Sequence, residues 1–169
     1  NIFKKLEKEE FKMAINLSTA GIHLYYAVEK TAGTRPTTKS DYTDLIGVKN
    51  IPSMNPAPET LETTDLNQTE YKTYIDGLKD LGGALEFTFN LTQDLVTMWD
   101  ELMEAFEAAK ATNKATWFLI DIPGLEKGLY FTGNPSSMGI PEASVSSVLE
   151  ITNYITPTGS PITAAKPTA

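Results

Sequence analysis

The chain has no cysteine among its 169 residues and a single histidine. The first absence removes disulfides, thiolate zinc sites and cysteine nucleophiles from consideration. The second leaves too few ligands for the usual zinc sites, which draw on several His or Cys side chains. No window approaches the run of about eighteen apolar residues that a membrane-spanning helix needs. Basic charge is scarce: 14 Lys and Arg stand against 22 Asp and Glu, a formal net charge of −8. Sticky attachment to nucleic acid or anionic lipid rests on clustered Lys and Arg, so an acidic chain argues against both. Proximity to DNA is another matter, since a surface past which DNA must slide should also be non-basic.

Signatures of catalysis and ligand binding are equally thin. The glycine pair in "DLGGAL" (80–85) lacks the third glycine or the Lys-Ser/Thr of a phosphate cradle and reads as a turn. Asp41, Asp44, Glu59, Glu62 and Asp65 do not follow the calcium-loop spacing with its central glycine. His23 lies between Ile22 and Leu24 in an alternating stretch and reads as an ordinary strand histidine facing solvent or a neighbour. Glu86 and Glu150 could serve as a glycosidase pair only if the fold brought them together, which spacing does not show. Asn16, Asn67 and Asn90 head Asn-x-Ser/Thr sequons. "NIFKKLEKEEFK" has basic residues with no apolar stretch after them, so it does not read as a secretory signal and the sequons read as chance matches. No catalytic, cofactor-binding or metal-binding residue is assigned.

What the chain does have is alternation. "GIHLYYAVE" (21–29), "LIGVKNI" (45–51), "TLETTDL" (60–66), "ALEFTFNL" (84–91), "KGLYFTG" (127–133) and "SVSSVLEITNYIT" (144–156) read as strands, the last with a bulge near Ser146-Ser147. "ATWFLIDI" (115–122) is apolar on both faces, as an interior strand or one covered by the helix is. Between two strands, Thr92 caps a helix whose Leu95, Met98, Trp99, Leu102, Ala105, Phe106 and Ala109 form one apolar stripe, with Asn113 at its exit. "PSMNPAPE" (52–59) reads as a rigid extended connection, and 67–83 as a loop with one helical turn at most. The fold expected is mainly β (α+β): an antiparallel β-sandwich with one flanking helix over about residues 93–112. Its domain spans 14–157, between an N-terminal extension or arm (1–13) and a flexible C-terminal tail (158–169). Codons for Glu7–Glu10 are purine-rich, as a ribosome-binding sequence is, so Met13 also reads as a start preceded by an upstream extension.

Three extended blocks carry a resemblance: "NLSTAGIHLYYAVEKTAGTRPT", "IPSMNPAPETLETTDLNQTEYKTYIDGLKDLGGALEFTFNLTQD" and "YFTGNPSSMGIPEASVSSVLEITNYITP". Together, from about Ala14 to Pro157, the chain resembles the major tail tube protein of long-tailed, non-contractile bacteriophages. The resemblance implies no enzymatic activity and no cofactor. It implies hexameric rings whose inner sheets join into a β-barrel, stacked around a tape-measure protein, with tail terminator and distal tail proteins as further partners. DNA contact would be transient and weak, no membrane is involved, and the protein would be made in the host cytoplasm and end in the virion.

On that footing Glu86, Thr88, Asn90, Glu150 and Thr152, the polar halves of two strands, become candidates for the channel wall. "KTAGTRPTTKSDYTD" and "NQTEYKTYIDGLKD" become candidate ring-to-ring loops, with Arg35, Tyr42, Tyr71 and Tyr74 as contact residues. The alternative for each is a plain solvated loop. The competing functional reading is an adhesive or host-binding β-sandwich module of a baseplate or decoration protein, and a small hydrolase comes last.

Overall fold

The structure is a computed structural model that describes residues 16–169. Expectations about the first fifteen residues lie outside the described residues. In chain order the elements are β1 (His23–Val28), β2 (Thr43–Asp44), β3 (Val48–Asn50), β4 (Pro58–Glu62), β5 (Tyr74–Lys79) and β6 (Leu85–Asn90). Helix α1 (Gln93–Ala111) follows, then β7 (Thr116–Asp121), β8 (Lys127–Pro135), β9 (Glu150–Pro157) and β10 (Ile162–Ala165). All named strand pairs are antiparallel.

Eight strands form one curled sheet that folds into two layers because β8 belongs to both. Its first part pairs with β7 and β10, and its last three residues, Gly133–Pro135, pair with β9. One layer is therefore β2-β1-β7-β8 with β10 alongside, the other β8-β9-β6-β3. The corner needs its glycine: a Cβ on Gly133 would stand 2.7 Å from Ile155 Cγ2. Between the layers lie Leu24, Tyr26, Phe118, Ile120, Phe131, Phe87, Phe89, Ile151 and Ile155. The rings of Phe118, Phe131 and Phe87 stack in sequence at 5.2 and 6.2 Å. This is the expected β-sandwich with one flanking helix.

Helix α1 begins where Thr92 Oγ1 accepts the Leu95 amide at 3.2 Å and Asp94 sits in the first turn. Leu95, Trp99, Leu102, Phe106 and Ala109 are buried at helical spacing against β1 and β8. Trp99 meets Phe89 edge-on and donates its indole N–H to Ser136 O at 2.9 Å. Asn113 leaves the helix with φ of 56°.

Strand β7 is buried on both sides, for a reason residues 115–122 do not contain. Leu119, Ala27, Tyr42 and Tyr130 make a second cluster on the outer side of its layer. The segment before β2 and the end of the chain roof that cluster. Lys39 N donates to Thr168 O and Thr168 N to Thr37 O, at 2.8 and 3.0 Å. Residues 158–169, expected as a flexible tail that is extended or mobile, run extended and add β10 to the sheet, and Lys166 pairs with Asp121 at 2.6 Å.

Other boundaries differ from expectation. Of the strand expected over 45–51 only β3 forms, after a turn at Gly47 with φ of 76°, and the short β2 precedes that segment. Residues 67–83, expected as a loop with one helical turn at most, contain β5, which among the described strands pairs only with β4. That strand starts at Pro58, inside the expected connection, and Pro as first residue forfeits no interior ladder bond. The strand expected over 144–156 begins only at Glu150: the change of phase at Ser146, φ of 63°, is a turn and not a bulge.

Candidate functional site: a polar face on the curled sheet

Strand β6 buries Leu85, Phe87 and Phe89, so pleating sends Glu86, Thr88 and Asn90 to the opposite side. Strand β9 buries Ile151, Asn153 and Ile155 and sends Glu150, Thr152 and Tyr154 out. Their register sets Glu86 opposite Tyr154, Thr88 opposite Thr152 and Asn90 opposite Glu150. All five residues singled out on these strands therefore share one contiguous polar face. Tyr154 completes it and was missed, although the alternation Glu150, Thr152, Tyr154 carries it. Lys49 of β3 adds an ion pair with Glu150.

The segment 136–149 stands along this face and with Thr88, Glu150, Thr152 and Tyr154 encloses an open cavity of about 630 Å³. Ile140, Val145 and Val148 on that segment are exposed. Glu86 and Glu150 pair with partners four positions apart along the strands. Roughly 13 Å of strand thus separates them, beyond the ~5–9.5 Å between the carboxyl groups of glycosidases.

The four residues expected at ring-to-ring contacts divide into two pairs. Tyr42 is buried, its hydroxyl donates to Pro36 O at 2.7 Å, and burial pushes its pKa up to about 12. Arg35 lays its guanidinium 4.2 Å from the centre of the Tyr130 ring. These two hold the second cluster together, so Tyr42 offers no surface to a neighbour. Tyr71 and Tyr74 are exposed, on the β4–β5 hairpin.

His23 is exposed and holds Asp44 Oδ2 through Nδ1 at 2.9 Å, with its ring stacked on Tyr25. Among the described residues no group of three or more His, Cys, Asp or Glu side chains is placed to hold a metal ion. Nor, among them, is any helix long and apolar enough to cross a membrane. Sequence reasoning also missed Glu29, a buried carboxylate. Its oxygens accept from the Gly33 and Ala115 amides at 2.8 and 3.1 Å and from the Trp117 indole at 2.9 Å. Burial alone would raise its pKa, but these donors together hold it below the ordinary value.

No family model matches the chain, and no curated protein matches it by sequence. Among solved structures it is similar to a chain in the cryo-EM structure of the anti-feeding prophage baseplate, 6-fold symmetrised. The TM-score is 0.58 at 10% identity, over 90% of this chain and 98% of that one. At such identity the likeness is one of fold, and it takes in nearly the whole of both chains.

Proposed function

We propose that the chain is a structural protein of a bacteriophage-type tail, which forms hexameric rings that stack into a hollow tube. On this reading the β6–β9 face lines the lumen, around a tape-measure protein during assembly and around DNA during ejection. Tail terminator and distal tail proteins meet the tube ends, and the protein resides in the virion. The observation that carries the reading is the register of β6 with β9, which gathers Glu86, Thr88, Asn90, Glu150 and Thr152 on one face opposite the core. A wall bearing carboxylates and hydroxyls repels phosphates over about 8 Å at physiological salt, so DNA passes without adhering.

The open edges of that layer also favour ring closure. It ends on β3, and Glu150–Asn153 of β9 pair only with β6. Pairing such edges between copies removes the template for disordered aggregation. The fold likeness to a chain of a six-fold symmetrised baseplate agrees with a ring former, and it also favours a second reading, a baseplate ring that does not extend. Negative-stain microscopy of the purified protein separates the two: tubes of regular diameter support the first, single unstacked rings the second. A persistent monomer that binds host cells would sink both.

A further inference from the structure

The layer that bears the polar face ends differently on its two sides. On one side β8 leaves the ladder early. Gly133–Pro135 pair with β9, and Ser136 N still donates to Tyr154 O at 2.9 Å. Beyond that point, among the described strands, only β6 pairs with Glu150–Asn153, so one edge of that stretch is open. The chain instead swings out as segment 136–149, and the open cavity of about 630 Å³ lies between this segment and Glu150, Thr152 and Tyr154. On the segment Ile140 is 97% exposed, Val145 96% and Val148 69%. Single exposed apolar residues are ordinary, but three on one short segment beside an open strand edge mark a contact surface.

On the other side the layer ends on β3, which is three residues long. Shortness is one of the means by which edge strands avoid unwanted partners. At the turn into β3 Ile46 is exposed, and beside the strand Thr19, Ile22, Val48 and Ile51 help to line a hollow of about 300 Å³.

The two sides match in length, direction and charge. Val48–Asn50 is shorter than the open edge Glu150–Asn153 and fits along it. Strands β3 and β9 are both antiparallel to β6, hence parallel to each other, and rotation about an axis along the strands keeps that direction. Glu142 and Glu150 line the cavity and no Lys or Arg does, whereas β3 carries Lys49. Within the subunit Lys49 pairs with Glu150, and Glu142 forms no ion pair with the described residues.

We propose that segment 136–149 is a clasp for a second copy of this chain: the neighbour's β3 adds to the open edge of β9, and the segment closes over it. The neighbour's Lys49 comes to Glu142, and Ile140, Val145 and Val148 cover its Ile46 and the hollow beside its β3. Backbone pairing and apolar cover hold this seam, because exposed ion pairs contribute little. Unlike surfaces on opposite sides of one layer make a head-to-tail contact, which a rotation closes into a ring. The inference rests on the self-assembly proposed above and names the contact that joins neighbours within a ring.

A chain without cysteine lends itself to a disulfide test. Asn50 lies opposite Thr88, and Thr88 opposite Thr152, so two strand spacings, about 10 Å, separate Asn50 from Thr152 within one subunit. Cα atoms more than about 7 Å apart cannot be bridged, so Asn50→Cys with Thr152→Cys links only between copies. Asn50→Cys with Glu150→Cys obeys the same limit and samples the neighbouring register. After mild oxidation, non-reducing gels are expected to show for at least one double form a ladder of covalent multimers that ends at the closed ring. Adding Ile140→Lys/Val145→Lys, at two exposed positions, is expected to abolish the ladder and leave the circular-dichroism melt unchanged. A ladder that persists in that background would overturn the clasp. Abundant dimer from Asn50→Cys alone would mean two-fold pairing of β3 edges and overturn the seam. Absence of a ladder in both double forms, while sedimentation velocity shows assemblies, would overturn the seam and leave self-assembly standing. A wild type that stays monomeric at every concentration would remove self-assembly and the clasp with it.

Discussion

Glu29 ties the turn at Gly33 to the place where the end of β1 pairs with the entry to β7, at Ala115 and Trp117. Hydrogen bonds to a buried carboxylate are stronger than neutral ones. Glu29→Gln keeps the shape, loses the charge and gives up part of the donor set, so it is expected to cost about 1–3 kcal/mol at neutral pH. The sign of the pH effect follows from the lowered pKa. Stability from this group is fully present above the unfolded-state value, near 4.5, and is lost as pH falls through the lower folded value. Thermal melts of both forms between pH 7 and pH 3 should therefore converge as pH drops. A constant gap would mean that the charge contributes nothing. Nothing in "YYAVEKT" marks Glu29 as buried, because its donors lie at Gly33 and, far along the chain, at Ala115 and Trp117. The packing of Tyr42 and Arg35 on Tyr130 was hidden for the same reason, since Tyr130 lies far along the chain.

At the scale of elements, burial decides what can be read. Strand β6 and helix α1 were legible because each has one face in the core, and that face imposes a period of 2 or 3.6 on the sequence. Strand β5 was not legible because it buries nothing. "YIDGLK" alternates for no core, and Gly77 within it faces Glu59 across the hairpin at 3.2 Å from where a Cβ would sit. Strand β9 is intermediate: its inward set includes Asn153, buried with neither amide atom hydrogen-bonded, which blurs the alternation. An isolated two-stranded hairpin is marginal in water, so β4–β5 adds little to the stability of the subunit. Replacing residues 60–77 by a short Gly-containing turn is expected to change unfolding free energy by about 1 kcal/mol or less, while stacking is abolished. Denaturant unfolding followed by sedimentation would check both halves. A large loss of stability would show that the hairpin packs on its own sandwich, contrary to its exposure.

For the molecule as a whole, the two layers are covered unequally. The outer side of the β1–β7 layer is roofed by the segment before β2 and by the chain end, whereas among the described residues the β6–β9 face carries the segment 136–149 along one side. The uncovered face also bears charge: among the described residues Glu86 forms no ion pair, and Glu150 is shared with Lys49. Strand alternation shows that such a face exists, and only assembly supplies something for it to look at. Glu86→Lys with Glu150→Lys tests that step. Both side chains point away from the core, so the subunit is expected to fold with its unfolding free energy changed by no more than about 1 kcal/mol. In assembled tubes the same change puts ammonium groups along the wall. Duplex DNA would then be retained at low salt and released steeply as salt rises, whereas wild-type tubes would hold none. DNA retention measured against salt, together with the infectivity of particles carrying the double variant, reads the outcome. Particles that eject DNA normally would remove these residues from the lumen, and a subunit that fails to fold would mean that the face packs against protein instead.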